Sequence, residues 1–180
     1  MEAGRVAIRL AAEPSVERTE APEKLVVNWA ADVSLFFARC TMEARRVVFH
    51  AHQAAVEHGG RSISPEHLLY GLLEQDVRAS KCVGAPSRAA GLQRSLVVEF
   101  GASDAPRQRS GVALSAQAQA VLENAWAEAE ARVHPKICSE HLLLGLLATD
   151  TPAARLVSSE VTAAAIRESI PENDPDEDDG

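Results

Sequence analysis

The chain repeats itself over a long period. Glu66–Leu73, with the sequence EHLLYGLL, returns 74 residues later as Glu140–Leu147, with the sequence EHLLLGLL. The same offset holds without a gap from Thr41–Asp76 onto Ser115–Asp150, where 13 of 36 positions are identical. A fixed period defines the structural unit before any single element is assigned. This period is too long for a small solenoid repeat, so it predicts a duplicated helical bundle.

Composition supports closely packed helices and argues against a nucleic-acid partner. Apolar residues make up 46% of the 180 residues but aromatic residues only 4%, so alanine and leucine must fill the core. All of the net charge of −8 comes from the two ends of the chain, because residues 36–171 hold 14 acidic and 14 basic residues. A nearly neutral folded part offers no basic face for nucleic acid.

The cysteines and the hydropathy favour a cytoplasmic protein that does not enter a membrane. The three cysteines form no CxxC pair, and their odd, low number favours reduced thiols. They are Cys40, Cys82 and Cys138. No secretory signal is visible, and the longest apolar stretch, Leu25–Phe37, is interrupted by polar residues and too short to span a bilayer.

The first repeat is predicted to hold four helices. Thr41 is a good N-cap, and the apolar residues after it recur at helical spacing until Gly59-Gly60 supplies the stop. Ile63 is predicted to be a short extended anchor, and Ser64-Pro65-Glu66 to start the central leucine-rich helix. A short third helix over Val77–Val83, ended by Gly84, and a fourth over Pro86–Phe100 complete the repeat.

The second repeat follows the same plan. Ser115 caps its first helix, Pro135 is the expected breaker, Ile137 the anchor and Ser139 the cap of the leucine-rich helix. Pro152–Val157 and Ser159–Ile170 are predicted to be its third and fourth helices. Gly71 and Gly145 lie within the two leucine-rich helices, where each glycine costs about 1 kcal/mol of helix stability relative to alanine. We therefore predict that another helix approaches closely at both positions and leaves no room for a side chain.

These segments predict an all-α fold of two tandem four-helix repeats, about eight helices, related by pseudo-two-fold symmetry. An acidic stretch at the end of the chain is predicted to be disordered and solvated. The expected organisation is a poorly ordered N-terminal extension at 1–35, a first repeat at 36–101, a linker at 102–110, a second repeat at 111–171 (the double domain thus covering 36–171) and an acidic tail at 172–180.

The pattern closely resembles the Clp N-terminal domain, the double repeat at the front of Clp ATPase unfoldases such as ClpC and ClpA. The resemblance rests on the doubled Glu-His-Leu-Leu-x-Gly-Leu-Leu and covers roughly residues 36–170. The approach Phe36–Thr41 is similar to the family's Phe-x-Arg-Phe-Thr, with Cys40 in place of an aromatic residue. The sequence contains no G-x-x-x-x-G-K-[ST] phosphate loop, so the expectation is a free-standing N-domain without an ATPase module.

The resemblance also implies a binding site. In the ClpC type of this domain, the glutamates that match Glu66 and Glu140 bind the guanidinium of phosphorylated arginine, and the hydroxyls that match Thr41 and Ser115 help to hold its phosphate. A carboxylate suits the cationic part of this ligand, and hydroxyls or helix N-terminal amides suit its phosphate. The alternative is that the glutamates only complement helix dipoles and the hydroxyls only cap helices.

Other candidate residues favour structural roles. Cys138 aligns with Ser64 and is predicted to be a small buried residue and not a nucleophile. The histidines are predicted to be satisfied core or surface residues, or turn residues without a partner, and they lack the spacing of a zinc site. They are His50, His52, His58, His67, His134 and His141. No metal and no cofactor are expected.

The sequence therefore predicts a non-catalytic binding module of the Clp chaperone–protease system. Its expected partners are Clp ATPase or protease components, adaptor proteins or substrate proteins, including arginine-phosphorylated ones, and a monomer is favoured. Two other hypotheses remain open at this point. One is a decoy that sequesters the ligands of a Clp unfoldase, and the other, from a different class, is a small enzyme using a histidine or a cysteine.

Overall fold

The described part of the chain is almost entirely helical. The structure is a computed structural model that describes residues 35–58, 60–74, 77–101, 112–159 and 161–171. Within these ranges, residues 35–39 are helical and eight further helices follow. They are α1 (Met42–Glu57), α2 (Pro65–Leu72), α3 (Arg78–Cys82), α4 (Pro86–Phe100), α5 (Ala116–Ala131), α6 (Ser139–Leu147), α7 (Pro152–Ser158) and α8 (Ala163–Ser169).

The predicted all-α double repeat is confirmed by this order of elements. Helices α1–α4 form the first repeat and α5–α8 the second. The expected loose extension, the linker and the acidic tail lie outside the described residues, apart from Leu35 at the end of the extension.

Two very short parallel strands join the repeats to each other. Strand β1 (Ser62–Ile63) precedes α2, strand β2 (Ala113–Leu114) precedes α5, and Ile63 pairs with Leu114. The segment ahead of the first repeat's leucine-rich helix therefore pairs with the segment ahead of the second repeat's first helix.

A second pairing repeats the first by symmetry. Cys40 forms a parallel bridge with Ile137, and these two positions are the 74-residue counterparts of Leu114 and Ile63. The Thr41 amide donates to the Ile137 carbonyl at 3.0 Å, and the Ser115 amide donates to the Ile63 carbonyl at 2.9 Å. The matched pairs establish the pseudo-two-fold relation between the repeats.

The core is built from two helix pairs, α1 with α2 and α5 with α6, that meet at the predicted glycines. A Cβ added at Gly71 would collide with the Val47 carbonyl oxygen, and one added at Gly145 would collide with the Val121 carbonyl oxygen. The two valines are themselves counterparts at the 74-residue offset. The predicted close approach of the helices is thus confirmed at both sites. The leucines beside the glycines are fully buried: Leu68, Leu69, Leu72, Leu142, Leu143, Leu144 and Leu146.

Three predicted boundaries in the second repeat were wrong. Helix α5 ends at Ala131, ahead of the expected breaker Pro135, and Val133 follows with a φ of 57°, in the left-handed region. The fourth helix begins at Ala163 and not at Ser159, because the Thr162 hydroxyl accepts from the Ala165 amide at 3.3 Å and caps the helix there.

The third correction concerns the start of α6. Its N-cap is Cys138, and Ser139, the predicted cap, is the first helical residue. The hydroxyl of Ser139 is directed instead to side chains of other elements, which places it in the candidate site.

Candidate functional site

The cross-repeat pairing decides which of the candidate residues meet. Because Thr41 hydrogen-bonds to Ile137, the start of α1 lies beside the start of α6, which carries Glu140. By the same symmetry the start of α5 at Ser115 lies beside the start of α2, which carries Glu66. Each candidate site therefore combines a hydroxyl from one repeat with a glutamate from the other. We call them the Thr41–Glu140 site and the Ser115–Glu66 site.

Both hydroxyls cap their helices, as predicted. Thr41 Oγ1 accepts a hydrogen bond from the Ala44 amide and Ser115 Oγ accepts one from the Ala118 amide, both at 3.1 Å. A hydroxyl that accepts from the helix still has its own proton to donate. Thr41 is 3% exposed, whereas Ser115 is half-buried, so the two hydroxyls differ in their access to solvent.

The Thr41–Glu140 site is filled by a network of the chain's own polar groups. The Glu140 side chain is only 3% exposed, and its Oε1 lies 3.4 Å from Arg78 Nε. Its Oε2 lies 3.0 Å from the Ser139 hydroxyl, which is also 3.0 Å from Glu43 Oε2. Glu43 in turn accepts from Arg78 Nε at 3.0 Å and from the Arg78 backbone amide. The Ala79 amide donates to Ser139 Oγ at 3.3 Å, so the network also satisfies the start of α3.

The two carboxylates of this network both attract the Arg78 guanidinium. Burial by itself would lower the pKa of Arg78, but the attraction of Glu140 and the hydrogen bond and charge of Glu43 outweigh it and raise that pKa above its usual value. Two carboxylates and one guanidinium leave one negative charge, which lies near the amides at the N-termini of α1, α3 and α6, where a helix dipole favours it.

The Ser115–Glu66 site lacks this network. Glu66 is half-buried, and its carboxylate makes no hydrogen bond or ion pair with any residue that the structure describes. The counterparts of Glu43 and Arg78 are Gln117 and Pro152, and both are exposed. Helix α7 is capped by its own Thr151, whose hydroxyl accepts from the Ala154 amide at 3.2 Å, so this helix requires no carboxylate from α5. The two sites are alike in backbone and different in side chains.

The histidines that follow the two glutamates have structural roles, as predicted. The Ser64 amide donates to His67 Nδ1 and the Cys138 amide donates to His141 Nδ1, both at 3.1 Å. An Nδ1 that accepts carries no proton, so both rings are neutral with the proton on Nε2. Burial lowers the pKa of each ring from 6.5 to about 4. Each histidine thus closes a capping box at the start of its leucine-rich helix.

Cys138 and His141 lie within hydrogen-bond distance, as the thiol and imidazole of a cysteine enzyme would. The Cys138 Sγ to His141 Nδ1 distance is 3.0 Å. The thiol is 6% exposed, however, and burial together with the charge of Glu140 raises its pKa, so the thiolate is disfavoured. The prediction that Cys138 is a small buried residue is confirmed.

Two turn histidines have partners, contrary to the prediction. His134 Nδ1 lies 3.1 Å from His141 Nε2, which matches the tautomer deduced above, with His141 as the donor. The His58 ring packs on Phe100 at 5.4 Å between centroids, and Phe100 also stacks on His67 at 4.4 Å. Among the residues that the structure describes, no group of three or more histidine, cysteine or acidic side chains is placed to hold a metal ion.

An apolar groove runs beside the Ser115–Glu66 site. It has a volume of about 600 Å³, and Leu114, the residue before Ser115, is one of its walls. Phe49 projects into solvent at its edge, with 57% of the residue exposed. The other walls are Phe37, Arg45, Val48, His52, Ile63, Val112, Ala113 and Gln119.

Sequence reasoning missed Glu43 and Arg78. The signal that would have found them is a pair of opposite charges that only the first repeat carries: Glu43 and Arg78 stand where the second repeat has Gln117 and Pro152. Nothing in the sequence alone places these side chains on Glu140, because the contact joins different repeats.

The fold and the paired helix starts define an all-helical double-repeat domain. The family model of the Clp repeat N-terminal domain matches residues 39–160, and the chain belongs to this family. The family is a non-catalytic interaction domain, and the chain is therefore a protein-interaction module of the Clp system.

Solved structures agree with this fold. The N-terminal domain of the Clp-associated chaperone ClpD from Arabidopsis thaliana is 19% identical, with a TM-score of 0.58, over 73% of this chain and 94% of that one. A chain from structural investigations of a malarial protein secretion system is 24% identical, with a TM-score of 0.59, over 72% of this chain and 90% of that one. No curated protein matches the sequence with significance. Among the described residues, none of the helices is both long and apolar enough to cross a bilayer.

Proposed function

We propose that this module recognises proteins that carry phosphorylated arginine and presents them to a Clp ATPase or protease in the cytoplasm. The observation that carries the proposal is the cross-repeat placement of a capping hydroxyl beside a glutamate at a helix start. The resemblance to the ClpC type of this domain supplies the ligand. The three cysteines are free thiols, which agrees with a reducing compartment.

The physical chemistry suits a phosphoguanidinium group. A carboxylate forms a charge-assisted hydrogen bond with guanidinium N–H groups, and such bonds are about twice as strong as neutral ones. The phosphate is favoured next to a helix N-terminus, where the dipole is positive and a Ser115 or Thr41 hydroxyl donates. A bare arginine or a phosphoserine satisfies only one half of the site, so both are expected to bind weakly.

Calorimetry with phosphoarginine tests the ligand. The parent protein is expected to bind phosphoarginine and to give no measurable heat with arginine or phosphoserine. The double variant Glu66→Ala, Glu140→Ala is expected to lose binding, provided that circular dichroism shows it folded. The absence of heat from the parent would refute this ligand and leave the family assignment untouched.

The apolar groove extends the binding surface to residues that flank the modified arginine. Phe49 is exposed, so Phe49→Ser removes apolar contact area without opening the core. We expect this variant to bind free phosphoarginine as the parent does and to capture an arginine-phosphorylated protein less well. Equal capture by both proteins would exclude the groove.

A reconstituted degradation reaction separates presentation from sequestration. If the module presents its ligands, adding it to a Clp ATPase, its protease and an arginine-phosphorylated substrate raises the rate of degradation. A decoy lowers that rate at the same concentration. A pull-down from the protein's own cell extract that recovers no Clp subunit, adaptor or arginine-phosphorylated protein would contradict both roles.

A further inference from the structure

The two candidate sites differ in a way that the sequence repeat conceals. In the Thr41–Glu140 site both named residues are buried, with Thr41 3% and Glu140 2% exposed. In the Ser115–Glu66 site both are half-buried. A ligand from solvent can therefore contact Ser115 and Glu66, whereas other protein atoms cover Thr41 and Glu140.

The group that covers Glu140 has the chemistry of the proposed ligand. Arg78 reaches across from the first repeat and places its guanidinium Nε 3.4 Å from Glu140 Oε1 and 3.0 Å from Glu43 Oε2. A guanidinium held between carboxylates is the contact that a modified arginine of a client would make. An external guanidinium must displace the Arg78 side chain first and would leave Glu43 without its ion-pair partner as well.

We propose that Arg78 substitutes for the ligand's guanidinium, so that the chain itself occupies the Thr41–Glu140 site and only the Ser115–Glu66 site binds a guanidinium from outside. This inference rests on the proposed function for the identity of the ligand. Its structural part, the pairing of Arg78 with Glu140, stands on the contacts alone.

The size of the effect follows from competition. If the tethered guanidinium holds the carboxylate for about 99% of the time, the apparent affinity for an external one falls about 100-fold. Space for the ligand is already present, since an open cavity of about 370 Å³ lies against Arg78, Glu140, Lys81 and Ile166. Removal of the Arg78 side chain would therefore leave the Glu140 carboxylate without its guanidinium on the wall of an existing cavity.

Titration of the full chain with phosphoarginine tests the inference. The parent is expected to bind one ligand per chain, and Glu66→Ala is expected to abolish that binding. Arg78→Ala is expected to bind two. Lys81→Ala is the matched control, because it removes a cation from the same helix and cavity without uncovering Glu140, and it is expected to bind one. Two equal sites in the parent would overturn the inference.

The reciprocal variant closes the other site and does not disturb a buried residue. Pro152 and Gln117 are exposed and are the counterparts of Arg78 and Glu43. Pro152→Arg combined with Gln117→Glu is expected to reproduce the Arg78–Glu43 ion pair over Glu66, with Pro65 in the place of Ser139, and to reduce binding between about 10-fold and about 100-fold. Unchanged binding in this folded variant would count against the mechanism.

A ligand-independent measurement decides the pairing if phosphoarginine proves to be the wrong ligand. We expect a double-mutant cycle with Arg78→Ala and Glu140→Ala, followed by urea unfolding, to show a coupling of about tenfold in the unfolding equilibrium constant. If no protein binds phosphoarginine but the coupling is present, the proposed ligand fails and the intramolecular pair stands. Additive effects of the two substitutions would overturn the inference.

Discussion

The two glycines of the leucine-rich helices make the strongest prediction about stability. Gly71→Ala places a Cβ against the Val47 carbonyl oxygen, and Gly145→Ala places one against the Val121 carbonyl oxygen, 2.7 Å from the Ala125 amide nitrogen and 3.0 Å from its Cβ. Backbone atoms of a packed helix do not rotate away as the end of a long side chain does. The substitution therefore has to separate two helices that form the centre of each repeat.

The magnitude follows from two opposing effects. Alanine is preferred to glycine in a helix by roughly 0.5–1 kcal/mol, whereas overpacking a core costs about 1–3 kcal/mol and occasionally more. Because the contacts are with backbone, we expect the upper part of that range, a net loss of about 2 kcal/mol in the free energy of unfolding for Gly71→Ala. Gly145→Ala is expected to lose more, since its Cβ meets a second residue.

Gly91→Ala is the matched control. Gly91 lies within α4, and a Cβ there meets nothing within 4 Å, so this variant is expected to gain roughly 0.5–1 kcal/mol. Urea unfolding followed by circular dichroism gives the free energies, and an unchanged slope with denaturant supports comparison of the variants. Equal stability of Gly71→Ala and Gly91→Ala would refute the expected clash with the Val47 carbonyl oxygen.

Three further predictions concern single residues. Val133 is 87% exposed at a φ of 57°, so we expect Val133→Gly to relieve strain and to raise the free energy of unfolding by roughly 0.5–1 kcal/mol, and a loss of stability in urea would contradict this. The folded pKa of His67 and of His141 is about 4 against 6.5 for the free side chain, so their stabilising effect is complete above pH 6.5 and falls by about 1.4 kcal/mol per pH unit for each ring as the pH drops toward 4. His141→Gln is expected to flatten the pH dependence of the unfolding midpoint, and an unchanged dependence would exclude His141 as a cause. Native Cys138 is expected to resist alkylation while the partly exposed Cys82 reacts, as mass spectrometry of the modified protein would reveal, and faster modification of Cys138 would contradict its burial.

The sequence by itself determined the local architecture of this protein. Helical spacing, capping residues and glycine or proline breaks are local properties, so the helix over Pro86–Phe100 was predicted to the residue. The 74-residue period also predicted the equivalence of Gly71 and Gly145, because duplicated segments bring equivalent positions against equivalent backbone atoms. One wrong boundary shows the limit of local signals. Serine is a common N-cap and so Ser139 was predicted as the cap, whereas alignment with Ser64 of the first repeat favours Cys138, which is the observed cap.

Only the tertiary structure decided how the repeats combine and how their sites differ. The parallel pairings of Ile63 with Leu114 and of Cys40 with Ile137 cross between repeats, and no local pattern specifies a contact over so long a sequence separation. The same crossing places Arg78 on Glu140, whereas Glu66 keeps a carboxylate without a partner among the described residues. A repeated sequence determines equivalent backbones. The charge of a site depends on side chains that arrive from elsewhere in the fold, and these make two equivalent positions chemically different.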